Sequence, residues 1–266
     1  MDNSKLARRN PHCRDGTIKM DQSTHRYSVK GIDKAFVSVT TLISWYLPPV
    51  NPSRLADSLL ASNDGSWRGM KKDELLRVWA EKGAEARHLG TLLHSEIELY
   101  YNIIDPDRRC ETGRHVGRDS QLLTEWSQFL LFDHRYRPEP HRTEMMIYSP
   151  SYGVAGTVDF LARNSDGSVT LYDWKRSKAE LGMEATEWNE NGIGPLWTYP
   201  NTSFGRYSLQ LNLYRTILEE EYGLVVKDMY VVRFHRRFAS YELLNVLRSD
   251  HAALLLAHYR SSLLPA

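Results

Sequence analysis

The chain has 266 residues, 41% hydrophobic and 25% charged, with a net charge of +1 at neutral pH. That composition is ordinary for a soluble globular protein, and the near-zero charge excludes a global basic field, so any polyanion site must be a local groove. Two cysteines, Cys13 and Cys110, are too few for a four-thiolate zinc or iron–sulfur site, and they fit an intracellular, reducing compartment without a disulfide.

No apolar run reaches the length of a membrane span, so no membrane partner is expected. The opening MDNSKLARRNPHCRDG lacks a signal-peptide core, and residues 1–16 read as a disordered tail. Residues 17–266 then form a single domain. TIKMDQSTHRYSVKG reads as a polar β-hairpin and AFVSV as a short strand. TTLISWYL reads as a capped helix stopped by Pro48 and Pro49, and NPSRLADSLLAS as a short helix.

From Lys71 to about Asn102 apolar residues recur at helical spacing, among them Leu75, Leu89, Leu93, Ile97 and Tyr100. Gly83 and Gly90 are expected to divide that stretch into two helices. A charged loop, DPDRRCETGRHVGRDS, precedes another amphipathic helix, QLLTEWSQFLLFDHRY. These helices make an annex over about 40–136.

Three strands follow, HRTEMMIYS, YGVAGTVDFLAR and SVTLYDWK, within a core of about 140–235. The stretch from Gly182 to Gly205 has no period and is long for a connection. RYSLQLNLYRTILEEEYG is helical, LVVKDMYVVRFH a buried strand, ASYELLNVL its partner and SDHAALLLAHYRSSLL a terminal helix. The order predicts an α/β fold with helices covering a mixed central sheet.

Asp159, Asp173 and Lys175 interrupt strands that otherwise read as a buried hairpin turning at NSDG. Charges there are costly unless solvated, paired or bound to a metal. Asp159 lies four residues before Arg163 and Asp173 five after Ser168, so the two carboxylates fall at similar heights on neighbouring strands. Alternation puts Asp173 and Lys175 on one face and Trp174 on the other. Paired carboxylates suit Mg²⁺ or Mn²⁺, and a nearby lysine can stabilise charge on a phosphate. A salt-bridged sheet edge explains the same three residues.

The rest of the chain resembles the PD-(D/E)XK nuclease superfamily, in particular the RecB-like branch with its Cas4-like and mitochondrial genome-maintenance exonucleases. GTLLHSEIE looks like the branch's G-x-x-x-H-x-x-x-E helix, GTVDF its second motif, YDWK its D-x-K and QLNLY its Q-x-x-x-Y helix, while SVTTLI looks like the opening S-x-T segment. The resemblance spans about Ser38 to Tyr214. It implies a restriction-endonuclease-like core, with the N-terminal hairpin and helical annex added.

As implied by that resemblance, His94, Asp159, Asp173 and the main-chain carbonyl of Trp174 ligate Mg²⁺ or Mn²⁺. Glu144 is an auxiliary ligand or orients one. Glu98 orients His94 or holds a water. Lys175 acts with Asp159 and Asp173 in catalysis, and Gln210 and Tyr214 lie over the site. Relatives often carry threonine or serine after the lysine, whereas this chain reads WKRSK. Arg176 is therefore expected to grip a phosphate, with Ser177 in the neighbouring role. Lys178 and Arg206 would neutralise flanking phosphates, and Trp188 and Trp197 would stack bases of a single strand.

The implied function is metal-dependent hydrolysis of DNA without strong sequence specificity, on single-stranded or flapped ends, with RNA as another candidate substrate. An endonuclease or nickase of the same fold, or a binding module without catalysis, stands as the alternative. An iron–sulfur cluster is excluded by the cysteine count.

Overall fold

The computed structural model describes residues 5–21, 24, 26–62, 67, 69–103, 120–179, 181–182 and 191–263. Most of the charged loop DPDRRCETGRHVGRDS, with Cys110, and Trp188 in the later aromatic segment lie outside these residues.

The described elements are α1 (Lys5–Arg9), β1 (Ile18–Asp21), β2 (Arg26–Val29), β3 (Ile32–Ser38), α2 (Val39–Tyr46), α3 (Pro52–Ala61), α4 (Lys72–Ile103), α5 (Leu123–Tyr136), β4 (Glu139–Ser149), β5 (Val154–Arg163), β6 (Val169–Arg176), α6 (Ser203–Tyr222), β7 (Val226–Phe234), β8 (Glu242–Asn245) and α7 (His251–Ser262). All eight strands join one mixed sheet. Helices α2, α6 and α7 cover one face through a core that includes Leu42, Leu171, Leu213 and Leu255. Helices α4 and α5 cover the other through Leu93, Phe129, Phe160 and Trp174. The result is a mixed α/β fold, a central sheet between helices.

Local chemistry explains the boundaries. Ser38 caps α2 by accepting the Thr41 N–H at 3.0 Å, and Asn51 caps α3 by accepting from Ser53 and Arg54. Gly223 ends α6 in the left-handed conformation, φ 65°.

Three expectations are corrected. Gly83 and Gly90 do not split the long helix: α4 runs unbroken for 32 residues. Each glycine costs a helix about 1 kcal/mol, and the buried stripe of Leu75, Leu89, Leu93 and Ile97 outweighs that. The segment expected as a disordered tail is folded from Lys5. Leu6 and Ala7 are buried, and Asp15 receives both terminal nitrogens of the nearly buried Arg142, each at 3.0 Å. The helices are not an annex: α2 and α4 pack on opposite faces of the sheet.

The sheet's register prepares the site. Strand β4 pairs with β5 along its whole length, from Glu139↔Arg163 to Ser149↔Val154. The other edge of β5 is shared: β3 runs parallel to Val154 and Ala155, while β6 runs antiparallel to Phe160–Arg163. Among the described residues, Gly156 to Asp159 therefore have no strand partner on that edge. A break in pairing leaves main-chain groups to be satisfied by side chains.

Candidate metal centre and acidic cluster

Side chains from α4, β4, β5, β6 and α6 fill that gap. Beyond Phe160↔Tyr172 the two hairpin strands part, and side chains take both main-chain groups of Trp174. Its N–H donates to Asp159 Oδ2 at 2.9 Å, and its carbonyl accepts from His94 Nε2 at 2.8 Å. The indole itself is buried in the aromatic core, which fixes the backbone that both site residues grip.

His94 Nδ1 faces two carboxylates, Glu144 Oε1 at 3.5 Å and Asp159 Oδ2 at 3.7 Å. Those distances exceed an ordinary hydrogen bond, so the three groups surround a space rather than bond across it. One ligating atom from each of His94, Glu144 and Asp159 can be chosen so that all lie within 4.8 Å. Glu144 reaches the cluster at a cost: its φ is 44°, a left-handed conformation that a non-glycine residue in a strand adopts only under constraint.

On the neighbouring strand Asp173 is 1% exposed. Its Oδ2 lies 2.6 Å from Lys175 Nζ, and its Oδ1 has no hydrogen-bond partner. The Lys175 ammonium also sits over the Tyr207 ring, 4.9 Å from the centroid. Tyr214 closes the gap from above. Its ring lies so near Gly156 that a Cβ there would stand 2.5 Å from Tyr214 Cε1, and Gln210 Nε2 donates to its hydroxyl at 3.0 Å.

Electrostatics follow from this crowding. Burial works against the charged form of His94, but the Asp159 and Glu144 carboxylates prevail and raise its pKa to about 9. Burial lifts the Asp173 carboxyl to about 6 against the pull of Lys175, and it raises that of Asp159 as well. Burial opposes the Lys175 charge, yet Asp173 and Asp159 more than restore it and keep the group an ammonium. Tyr214, raised chiefly by burial, stays a neutral phenol.

A divalent cation fits these residues. Two carboxylates and an imidazole converge at ligand spacing, and a buried carboxylate oxygen of Asp173 stands unpartnered beside them. Hard oxygen donors with one imidazole suit Mg²⁺ or Mn²⁺. The cluster differs in membership from the expected ligand set. Glu144 belongs to it, whereas Asp173 pairs with Lys175 and the Trp174 carbonyl is bonded to His94. Glu98, one turn beyond His94 on α4, is half-buried and lies outside the cluster.

The residues expected to hold nucleic acid are more scattered. Arg176 does not face outward: its side chain is 6% exposed and its Nε lies 3.0 Å from Glu125 Oε1, on a side chain with no exposure. Its guanidinium neutralises a buried carboxylate, so it is not available as the expected phosphate grip. Arg176→Ala is expected to lower stability by about 3 kcal/mol, because it strands that carboxylate. Urea unfolding checks this; unchanged stability with weakened oligonucleotide binding would return Arg176 to the phosphate role.

Arg206 donates to the Pro48 carbonyl at 2.8 Å and ties α6 to the end of α2, so it too is engaged within the fold. Ser177 Oγ accepts the Ala179 N–H at 3.3 Å, while Lys178 is exposed. Trp197 is 70% exposed and free to stack. Tyr199 is buried and donates its hydroxyl to the Gly205 carbonyl, and Phe204 packs on the core. Sequence reasoning missed Tyr207 and Glu125, and gave no role to Gly156, the first residue of GTVDF. Tyr207 lies three residues before Gln210; nothing local marks Glu125.

No family model matches the chain, and no curated protein matches it. Among solved structures it is similar to a Eubacterium rectale protein described as a "putative exonuclease", at 8% identity and a TM-score of 0.44, covering 86% of this chain and 78% of that one. It is also similar to a protein called SSO0001, at 14% identity and a TM-score of 0.36, covering 86% and 77%. Among the described residues no helix is long and apolar enough to cross a membrane.

Proposed function

We propose that the chain is a Mg²⁺- or Mn²⁺-dependent nuclease that hydrolyses DNA phosphodiester bonds without strong sequence specificity, acting on single-stranded or flapped ends. The observation that carries this reading is the gathering of His94, Glu144 and Asp159 within ligand spacing at a break in the sheet, beside a buried Asp173–Lys175 pair. A structural salt bridge would explain Lys175 but not three further ionisable groups placed around a space.

His94, Glu144 and Asp159 would hold the cation, with Asp173 Oδ1 as a further donor, while the Trp174 carbonyl holds the His94 ring in place through Nε2. When bound, the cation supplies Lewis-acid polarisation of the phosphate and a nucleophile at neutral pH. Lys175, an ammonium on the Asp173 side of the site, meets the negative charge that grows on the phosphate during hydrolysis. The Tyr207 ring and Asp173 hold that ammonium in place. Tyr214 keeps its proton and, braced by Gln210, can donate it to a phosphate oxygen.

Cation uptake has a measurable consequence. His94 is protonated at neutral pH with its pKa at about 9, and a ligating imidazole must be neutral. Titration calorimetry near pH 7, in buffers of different ionisation heat, is expected to show about one proton released per Mn²⁺ bound. Apparent affinity should rise with pH and level off above the His94 pKa. Proton-neutral binding near pH 7 would remove His94 from the ligand set.

The functional test is cleavage of end-labelled linear and circular DNA, single-stranded and duplex, with Mg²⁺, Mn²⁺ or EDTA. Loss of linear but not circular substrate, only with metal, is the expected result. Cutting of circles replaces the exonuclease with an endonuclease. Binding without cutting under every metal condition overturns the nuclease and leaves a binding module.

A further inference from the structure

The turn between β7 and β8 carries His235, Arg236 and Arg237, and α5 holds it from beneath with two buried polar side chains. Gln128, 2% exposed, donates to the carbonyls of His235 and Phe238 at 3.2 and 2.7 Å and accepts the His235 N–H at 3.0 Å. Glu125, with no exposure, accepts the Arg236 N–H at 3.2 Å through the same oxygen that faces Arg176. Burying a carboxylate and an amide is costly unless both are paired. A turn that merely joined two strands would need neither.

What this staple fixes is one wall of a cleft of about 490 Å³. Its other wall is α4 at Lys82, Glu85 and Ala86, and its floor is the chain leaving β6 from Arg176 to Ala179. The cleft therefore opens one residue past Lys175. Ala86 precedes His94 by eight residues on the same helix, about 12 Å along its axis, so the cleft lies one strand residue and about two helical turns from the metal centre. Lys82, Lys178 and Arg236 are exposed at this cleft, and among the described residues Lys178 and Arg236 form no ion pair. Glu85 is the one described acid lining it, since the Arg176 charge is already met by Glu125. In a chain of net charge +1, this is a local basic groove.

We propose that this cleft binds the phosphodiester backbone of the substrate strand beside the scissile bond, with Lys82, Lys178 and Arg236 as its phosphate contacts. The identity of the ligand rests on the nuclease reading. Apart from the His235 imidazole the cleft is lined by charge and aliphatic chain with no base-edge pattern, so the contact is independent of sequence.

The test is fluorescence anisotropy of labelled oligothymidylate and oligouridylate in EDTA, where nothing is cleaved. Lys178→Glu/Arg236→Glu is compared with the parent and with Lys19→Glu/Lys30→Glu, the same charge change on the exposed N-terminal hairpin. The cleft variant is expected to bind about tenfold or more weakly, with its salt slope reduced by about 1 for each phosphate it no longer neutralises. The hairpin variant should bind as the parent does. Lys82→Gln, a milder change from the opposite wall, should weaken binding in the same direction. Loss with one oligonucleotide only supports the cleft and names the nucleic acid. No loss with either, equal loss in the hairpin variant, or a parent that binds neither overturns it. Because no turnover is involved, failure to cleave with metal counts against the nuclease reading alone.

Discussion

Lys175→Met is expected to leave a folded protein that cleaves DNA about a thousandfold more slowly, roughly 4 kcal/mol of lost transition-state stabilisation. Methionine nearly matches the lysine in length, so the loss isolates the charge. The ammonium is held 2.6 Å from Asp173 and against the Tyr207 ring, an arrangement that leaves little reorganisation to the moment of reaction. The same substitution should alter stability in a pH-dependent way. Asp173 is raised by burial from 3.8 to about 6 even with Lys175 present. A carboxyl that keeps its proton longer folded than unfolded makes stability fall as pH rises across that interval. Without Lys175 the Asp173 pKa climbs further, so the fall extends upward. Urea unfolding near pH 5 and near pH 8 should therefore show a larger deficit at the higher pH in the variant than in the parent. Full cleavage by Lys175→Met would reduce Lys175 to a neutraliser of Asp173.

Asp159→Asn tests the centre itself. The asparagine carbonyl can still accept the Trp174 N–H that Asp159 now takes at 2.9 Å, so the parting of β5 and β6 is preserved. The charge that faces His94 Nδ1 at 3.7 Å is lost. Removing a residue that only orients a ligand typically costs about 10- to 100-fold in metal affinity; removal of a ligand should exceed that, with cleavage falling by about a thousandfold or more. His94 reports the change independently. Its pKa should drop from about 9 toward 6.5, read by imidazole proton shifts in metal-free protein. Unchanged Mn²⁺ affinity in this variant would make Asp159 a cap for the Trp174 amide and nothing more.

Much of this was legible in the chain before any fold was known, and the reason is local. Hydrophobic alternation, the NSDG turn and capping residues act over a few positions, so β5, β6, α2, α3 and α6 appear where the pattern puts them. The intrusion of Asp159, Asp173 and Lys175 into apolar strands is a local anomaly of the same kind. Where reading failed, the deciding partner was distant. Gly83 and Gly90 read as breaks because their cost is local, while the sheet face that holds α4 straight lies far away in sequence. Residues 5–16 read as tail because the partner of Asp15 is Arg142. Arg176 read as a phosphate grip because the carboxylate it serves, Glu125, belongs to another helix.

The sequence by itself thus determined the elements and the chemistry available to them: two acids and a lysine on a hairpin, a histidine on a helix and a tyrosine on the helix behind. Tertiary structure alone decided which acid joins the histidine. β3 and β6 divide one edge of β5 and leave Gly156 to Asp159 open, and Glu144 turns toward that opening through a strained backbone. Strand pairing between segments more than a hundred residues apart, as β3 and β5 are, writes no periodicity into either one. The gap in which charges can be buried together exists only once the sheet has closed around it.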